Sequence, residues 1–504
     1  MSPALLFSFV VGYFLLLLGV AWVTSRNANN DSFFIGNRDS NWMLVAFGMI
    51  GTSLSGVTFV SVPGAVGKES FAYLQITLGY LLGYLVISMV LLPLYYRLNL
   101  TSIYNYLSSR LGFASYKTGA SFFILSRTLG ATARLYLVVK ILQDAILASF
   151  GVPFWVTTFI ILLMILLYTY EGGVKTIVWT DMLQTSCMLA GLVICIFFIL
   201  SKLDLGLFQS LQVMQDKNYT QVFFTDPSSK FFFLKQVLAG AFITITMTGM
   251  DQEMMQKNIS VRTLRDSKKN VLTLGVIMLV VISMFLLLGG LLHLYSEQLG
   301  GAWVTDAQGI KRYLVEGKDA TADKLFPLLA LEYMPPIISV IFIIALISAL
   351  FPSADGAITA LTSSFCIDIM GMQRRSDWSD EQKKKYRQRV HLIFALIFLL
   401  FVMVFKWVNN PSMIGVILKV AGYTYGPLLG LFSFGILTKR IVNDRLVPLI
   451  ALLAPFISFM LDTYQKVLFK GFEIGLELLI INGILTFIGL MLISKPAKSQ
   501  AAAA

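Results

Sequence analysis

Cysteine and histidine are nearly missing from this sequence, with three of the first and two of the second in 504 residues. Cys187, Cys195 and Cys366 fall in or beside apolar runs without metal-ligand spacing, so neither a disulfide framework nor a zinc site is expected. His293 and His391 lie near the ends of apolar runs and far apart. No HExxH-type helix motif accompanies them, and the clustered nucleophiles, acids or ligands of a membrane enzyme are missing. Charge is scarce as well: 13% of residues are charged against 57% hydrophobic, and the mean hydropathy is +0.77, far outside the globular range. Such a chain is built to sit in lipid. Its net charge of +12 is confined to loops between apolar spans, where topology accounts for it, so no nucleic-acid partner is expected.

Apolar runs long enough to cross about 30 Å of hydrocarbon can be marked at 4–23, 41–64, 73–96, 117–149, 152–170, 174–201, 231–253, 271–295, 335–369, 390–408, 412–437, 446–463 and 472–494. An all-α polytopic protein of about thirteen membrane helices is therefore expected. The run from Ala4 to Val23 has no basic stretch before it and no small-residue cleavage pattern after it, so it reads as a retained first span. With the N-terminus outside, alternate loops hold Arg26 and Arg38; Arg97, Arg110 and Lys117; Lys257, Arg262, Arg265, Lys268 and Lys269; Arg374 through Arg389; and Lys439, Arg440 and Arg445. These are expected to face the cytoplasm of a cell inner (plasma) membrane. The loops 202–230 and 298–334 mix acid with base, as in Asp216, Lys217 and Asp226 or Asp306, Lys311 and Glu316, and read as external. An odd span count puts the C-terminus, with Lys495 and Lys498, inside, and Ala501 to Ala504 reads as an unstructured tail. The loop from Arg374 to Arg389 is expected to be solvated, with anionic membrane lipid as the alternative partner.

The second span is unusual at its centre, where Gly51-Thr52-Ser53-Leu54-Ser55-Gly56-Val57-Thr58 is followed by Pro63-Gly64. Small residues suit close helix packing; glycine and hydroxyls at mid-membrane also suit a broken helix whose carbonyls face a cavity. Five spans later, Gly240 through Gly249 repeats the character and is followed by Asp251 and Gln252. Two interrupted helices, each opening a block of five, imply a single transport domain over 1–504, with an extra helix at 4–23, inverted repeats at 41–201 and 231–437, and two closing helices at 446–494.

Four stretches together resemble the sodium/solute symporter family, whose members carry sugars, sialic acid, amino acids, vitamins and monocarboxylates. Asp31-Ser32-Phe33-Phe34-Ile35-Gly36-Asn37-Arg38 resembles the segment before its first broken helix. Tyr170-Glu171-Gly172-Gly173-Val174-Lys175, continuing to Trp179-Thr180-Asp181 and Gln184, resembles its "GGLKAVVWTDVIQ" signature. Gly249-Met250-Asp251-Gln252 with Gln256 and Asn258 resembles the end of its second broken helix, and Gly422-Tyr423-Thr424-Tyr425-Gly426-Pro427-Leu428-Leu429-Gly430 resembles a late segment. The resemblance implies the leucine-transporter-type inverted five-plus-five repeat and sodium-coupled import of a small polar solute by alternating access; a monomer is the expectation for the working unit, one that no residue pattern sets. Sodium would stabilise the outward-open state, substrate would bind, and the bundle would rock to release both inward. A facilitator, a proton-coupled carrier and a solute sensor are the alternatives; a sensor is expected to add a signalling domain after the last span.

The same resemblance places an ion site. A sodium ion between two helices needs about five oxygens and no large charge, and the family pattern assigns the carbonyls of Gly51, Leu54 and Ala349 and the hydroxyl of Ser353. Pro352 stands where many relatives have the other hydroxyl; it has no side-chain oxygen, but its missing N–H frees the Ser348 carbonyl. Some relatives hold a second sodium with an acid at the position of Asp181 and hydroxyls at those of Pro352, Asp355 and Gly356. Two of those three have no side-chain oxygen here, so one sodium is expected. Asp181 and Asp355 are read as functional, as intramembrane acids usually are; solvation at a helix end and bonding to nearby hydroxyls are their structural alternatives.

Ser53, Ser55, Thr58, Gln75, Thr244, Met247 and Thr248 are expected to line the substrate space, against the alternative that each hydroxyl bonds its own helix. Arg127 and Arg134, two turns apart on one span, suit carboxylate binding, as the family's sialic acid carriers do with an arginine in this span. Either could serve, and Arg127 could instead pair with an acid. Lys419 aligns with a polar substrate ligand of sugar carriers. Lys140 is set aside because Asp144 lies at i+4. A sugar, acidic sugar or other organic acid is the expected cargo.

Overall fold

A computed structural model describes residues 3–24, 40–169, 173–305, 309, 311–408, 412–469 and 471–496. The segments Asp31 to Arg38 and Tyr170 to Gly172, together with Arg26, Asp306, Lys498 and the alanine tail, lie outside the described residues. Eight helices are long and apolar enough to cross a bilayer, and three pairs qualify when each bent pair is taken as one span. Two shorter apolar helices stand at the remaining places, so helices occupy all thirteen positions read from the hydropathy.

In chain order these are α1 (Pro3–Thr24), the pair α2 (Trp42–Ser53) and α3 (Gly56–Glu69), α4 (Tyr73–Arg97), α5 (Phe113–Ala145), α6 (Phe154–Thr169) and α7 (Gly173–Leu203). The second series holds the pair α8 (Phe233–Met247) and α9 (Gln252–Ile259), α10 (Leu264–Gln298), α11 (Pro336–Ser364), α12 (Asp380–Val408) and the pair α13 (Met413–Thr424) and α14 (Gly426–Leu437). Helices α15 (Val447–Leu468) and α16 (Leu478–Leu492) close the chain. Between α10 and α11 a small antiparallel sheet forms from β1 (Ala302–Thr305), β2 (Lys311–Val315) and β3 (Lys318–Asp319).

Burial ranks the helices by position. In the span containing α11, 83% of the apolar window is buried, against 22% in that containing α15, so α11 sits at the centre and α15 faces lipid. Around α11 pack α5 and α7, and α7 also packs on α2. The crossing of α4 with α8 is the closest-built contact between the two series. A Cβ on Gly79 would stand 2.1 Å from the Val237 carbonyl oxygen, and one on Gly240 would stand 2.1 Å from that of Ile76. Each glycine thus makes room for the other helix's backbone, the usual device where lipid offers no hydrophobic driving force between helices. Gly240→Leu is expected to remove the folded, monodisperse species from size-exclusion chromatography in detergent, whereas Gly12→Leu, with nothing within 4 Å, should leave it intact.

Candidate functional site

Three helix breaks lie around α5, which packs on α3, α13 and α14 and pairs with α9 through Arg127 and Glu253. The first bends the α2/α3 span by 57°, the second the α8/α9 span by 69°, and the third the α13/α14 span by 45°. At the first break the Leu54 N–H donates to Ile50 at 2.7 Å, and the next bond of this kind runs from Phe59 to Ser55. Among the described residues no backbone N–H reaches the carbonyls of Gly51 or Leu54, which leaves them for another partner. At the second break Asp251 caps α9, accepting from the N–H groups of Glu253 (2.9 Å) and Met254 (3.2 Å). Its other oxygen accepts the Tyr425 hydroxyl at 2.7 Å, which joins the second break to the third.

A small cavity of about 90 Å³ lies at these breaks. Ser53, Ser55, Thr58, Arg127, Arg134, Thr244, Met247 and Thr248 line it. Thr246 spends its hydroxyl on the Phe242 carbonyl at 2.9 Å; Ser55, Thr58 and Thr244 make no such bond among the described residues and face the cavity. The sequence reading left out Tyr73, Tyr80 and Tyr84, which add a phenolic wall from α4 and its start. Their spacing of seven and four residues places them on one face of α4, but an aromatic stripe at that spacing is ordinary helix packing, and only the fold turns it toward the cavity.

Two expected lining residues stand elsewhere. Gln75 is fully buried, with its amide bonded to the Ala72 and Phe231 carbonyls and its oxygen accepting from the Phe224 N–H. It ties α4 to the preceding loop of the second series. Lys419 is 59% exposed and pairs with Asp462 of α15 at 2.7 Å, because its face of α13 turns outward; the cavity is lined instead by Ile414, Ile417 and Leu418.

The two arginines differ in the same way. Arg127 donates to Glu253 of α9, with both side chains almost fully buried. Arg134 lines the cavity, and among the described residues no hydrogen bond or ion pair engages it. Lys257 needs correction too: it was read as a cytoplasmic loop charge, yet it lies in α9 and is 3% exposed. Its ammonium donates to Thr52 Oγ1 at 2.6 Å and Asp181 Oδ2 at 2.7 Å, with Glu253 Oε1 at 3.9 Å. Asp181 is therefore deeply buried rather than solvated at a helix end. Asp355 accepts the Tyr168 hydroxyl at 2.7 Å.

Two of the positions expected at the ion site, Gly51 and Pro352, meet between α2 and α11. A Cβ on Gly51 would lie 3.4 Å from Pro352 Cγ and 2.4 Å from Thr185 Oγ1, so the first break is seated directly on the proline turn. Ser353 turns its hydroxyl proton to Leu350 at 2.8 Å, which leaves the oxygen lone pairs to accept. Ser348 donates to Tyr13 at 2.7 Å, while its carbonyl has no N–H at position 352 to receive. The Gly51 and Leu54 carbonyls, the Ser353 hydroxyl oxygen and the Ser348 carbonyl are neutral oxygens of the kind a hard cation prefers, whereas Ala349 lies inside the unbroken α11.

Comparisons with known proteins agree with this geometry. The model of the sodium:solute symporter family matches residues 33–445. The chain is 25% identical over 464 residues to the sodium/sialic acid symporter SiaT of Proteus mirabilis, covering 90% of this chain and 88% of that one. It is 25% identical over 427 residues to the human sodium/iodide cotransporter, covering 83% and 63%. In structure it resembles a Na+-coupled sialic acid symporter in a substrate-bound outward-open state, with a TM-score of 0.80 at 20% identity over 98% of this chain and 99% of that one.

Proposed function

Because the chain belongs to the sodium:solute symporter family, and is thus a sodium-coupled transporter of a small solute rather than an enzyme, we propose that its cargo is a polar molecule bearing a carboxylate. The observation that carries this is Arg134, a guanidinium facing the cavity with no protein partner among the described residues. Arg134 is half-buried, so its charge is partly withdrawn from water, and a carboxylate in the cavity supplies the bidentate partner that guanidinium geometry favours. The hydroxyls of Ser55, Thr58 and Thr244 and the phenols of α4 suit the hydroxyls of a sugar acid or similar organic acid. The sialic acid named for one relative falls in this class.

Sodium, as the second cargo, is assigned to the carbonyls of Gly51, Leu54 and Ala349 and the hydroxyl of Ser353. Binding there draws the first broken span toward α11, next to the cavity whose wall includes Ser53 and Ser55. Sodium and solute then raise each other's affinity, as linkage requires. The basic loops from Arg97 to Lys117, Arg262 to Lys269 and Lys439 to Arg445 support an inward-facing side at those ends. The C-terminus would then be cytoplasmic, the β1–β3 sheet external and the direction of transport import. The repeats are assigned to 41–201 and 231–437, each opened by a broken span, in a monomer surrounded by lipid.

Uptake into proteoliposomes of labelled sugars, sugar acids and amino acids, under inward sodium, proton or potassium gradients, tests the reading. A carboxylated solute should accumulate only with sodium. Ser353→Ala should raise the half-saturating sodium concentration at least tenfold, with little change in protein yield. Equilibration under every gradient, or accumulation of neutral solutes alone, would overturn the assignment.

A further inference from the structure

The ammonium of Lys257 stands where a mobile cation would find ligands. It is enclosed by oxygens from three spans: Thr52 Oγ1 of α2 at 2.6 Å, Asp181 Oδ2 of α7 at 2.7 Å, and Glu253 Oε1 of its own helix at 3.9 Å. Along the same face of α7, Asp181 Oδ1, Gln184 Oε1 and Thr185 Oγ1 are buried without a hydrogen-bond partner, as is Glu253 Oε1. Buried oxygens are ordinarily satisfied, so this group carries unused capacity to hold a positive charge. All eight residues of α9 are buried, which prevents the lysine from extending its charge to water.

Two residues of α11 shape the same pocket. Pro352 offers no side-chain oxygen, and Gly356 leaves its side-chain space to Glu253, whose Oε1 would lie 2.3 Å from a Cβ at that position. A carboxylate oxygen thus stands where a hydroxyl-bearing side chain at 356 would have been. The region holds Asp181, Glu253 and Asp355 against Lys257 and Arg127, so the fixed charges already come within one unit of balance when all five are ionised. A free sodium ion about 4 Å from the ammonium would be disfavoured by roughly a thousandfold at an effective dielectric near 20.

We propose that Lys257 is a tethered cation filling a second monovalent-cation site beside Asp181, so that the protein carries its own charge there and moves a single sodium per cycle. The stoichiometry rests on the symport reading above; the existence of the filled site does not. Removing the ammonium should open the site to sodium through the oxygens of Asp181, Thr52, Thr185 and Glu253.

The experiment counts 22Na+ bound per purified protein, with sodium-dependent thermal stabilisation as a parallel readout, in wild type, Lys257→Ala, Lys257→Arg, Asp181→Asn and the Lys257→Ala/Asp181→Asn pair. Lys257→Ala should bind one sodium more than wild type, Lys257→Arg none more, and the paired variant should lose the gain. Asp181→Asn alone should leave the wild-type count unchanged; if it lowers that count, Asp181 holds a mobile ion in the native protein and the proposal falls. The proposal falls equally if folded Lys257→Ala binds no additional sodium. Should Lys257→Ala not fold, the Asp181→Asn count decides. A wild type that binds no sodium would sink the symport reading, whereas a gain from none to one in Lys257→Ala would still support the tethered cation.

Discussion

Arg134→Ala is expected to lower apparent affinity for carboxylated solutes by roughly 30-fold to several thousandfold, the equivalent of about 2–5 kcal/mol for a buried charge pair that loses one partner. The effect should be selective. A neutral analogue of the same solute, with the carboxylate esterified or reduced, gains nothing from the guanidinium and should change by less than about threefold, well under 1 kcal/mol. Arg134→Lys keeps the charge and loses the planar fork, so its loss should fall between, at roughly tenfold. The two arginines, two turns apart on α5, differ in their partners. Arg127 is already paired with Glu253, with its Nε left unpartnered, so its removal should act mainly through folding rather than through the carboxylate. Competition of a labelled solute by acid and ester pairs, in wild type and both variants, checks the point. Equal losses for acid and ester would mean that Arg134 holds the cavity's shape and does not read the charge.

Much of this arrangement was legible before any coordinates. Glycine and hydroxyl residues in the middle of an apolar run announce a helix that cannot stay regular, and both Gly51 to Thr58 and Gly240 to Gly249 border real breaks. Other features were not legible, for a physical reason. The sequence of α9, Gln252–Ile259, is polar at most positions, and hydropathy assigns such a stretch to water. It is buried only because α2, α7, α10 and α11 pack around it and Arg127 and Asp181 supply its charges with partners, and Lys257 was consequently misread as a loop charge. Lys419 failed in the opposite direction. A lysine inside an apolar span reads as functional, yet one turn of α13 decides whether it meets the cavity or Asp462, and composition does not fix that rotation. Gly356 was read as a lost ligand; that its empty volume admits Glu253 depends on a contact between residues one hundred positions apart in sequence.

That contact sets the second large expectation. Glu253→Gln and Arg127→Met, made singly, should each destabilise the folded protein by about 3–5 kcal/mol, because each leaves a buried charge without its counterion. The two costs should not add. In Arg127→Met/Glu253→Leu neither charge remains to be desolvated, and an apolar pair of similar volume can restore most of the loss or exceed the wild type. The midpoint of unfolding in SDS, compared across the wild type, Arg127→Met, Glu253→Leu and the double variant, gives the coupling energy. Lys257 makes the two singles unequal. With Glu253 neutral, the ammonium keeps Asp181 at 2.7 Å, but Arg127 has no second partner among the described contacts. With Arg127 removed, Glu253 can still turn toward Lys257, now 3.9 Å away. Glu253→Gln should therefore be the more damaging single change. Singles that cost less than about 0.5 kcal/mol, within the range of ordinary surface substitutions, would show that water reaches this pair and that the centre of the bundle is wetter than its packing implies.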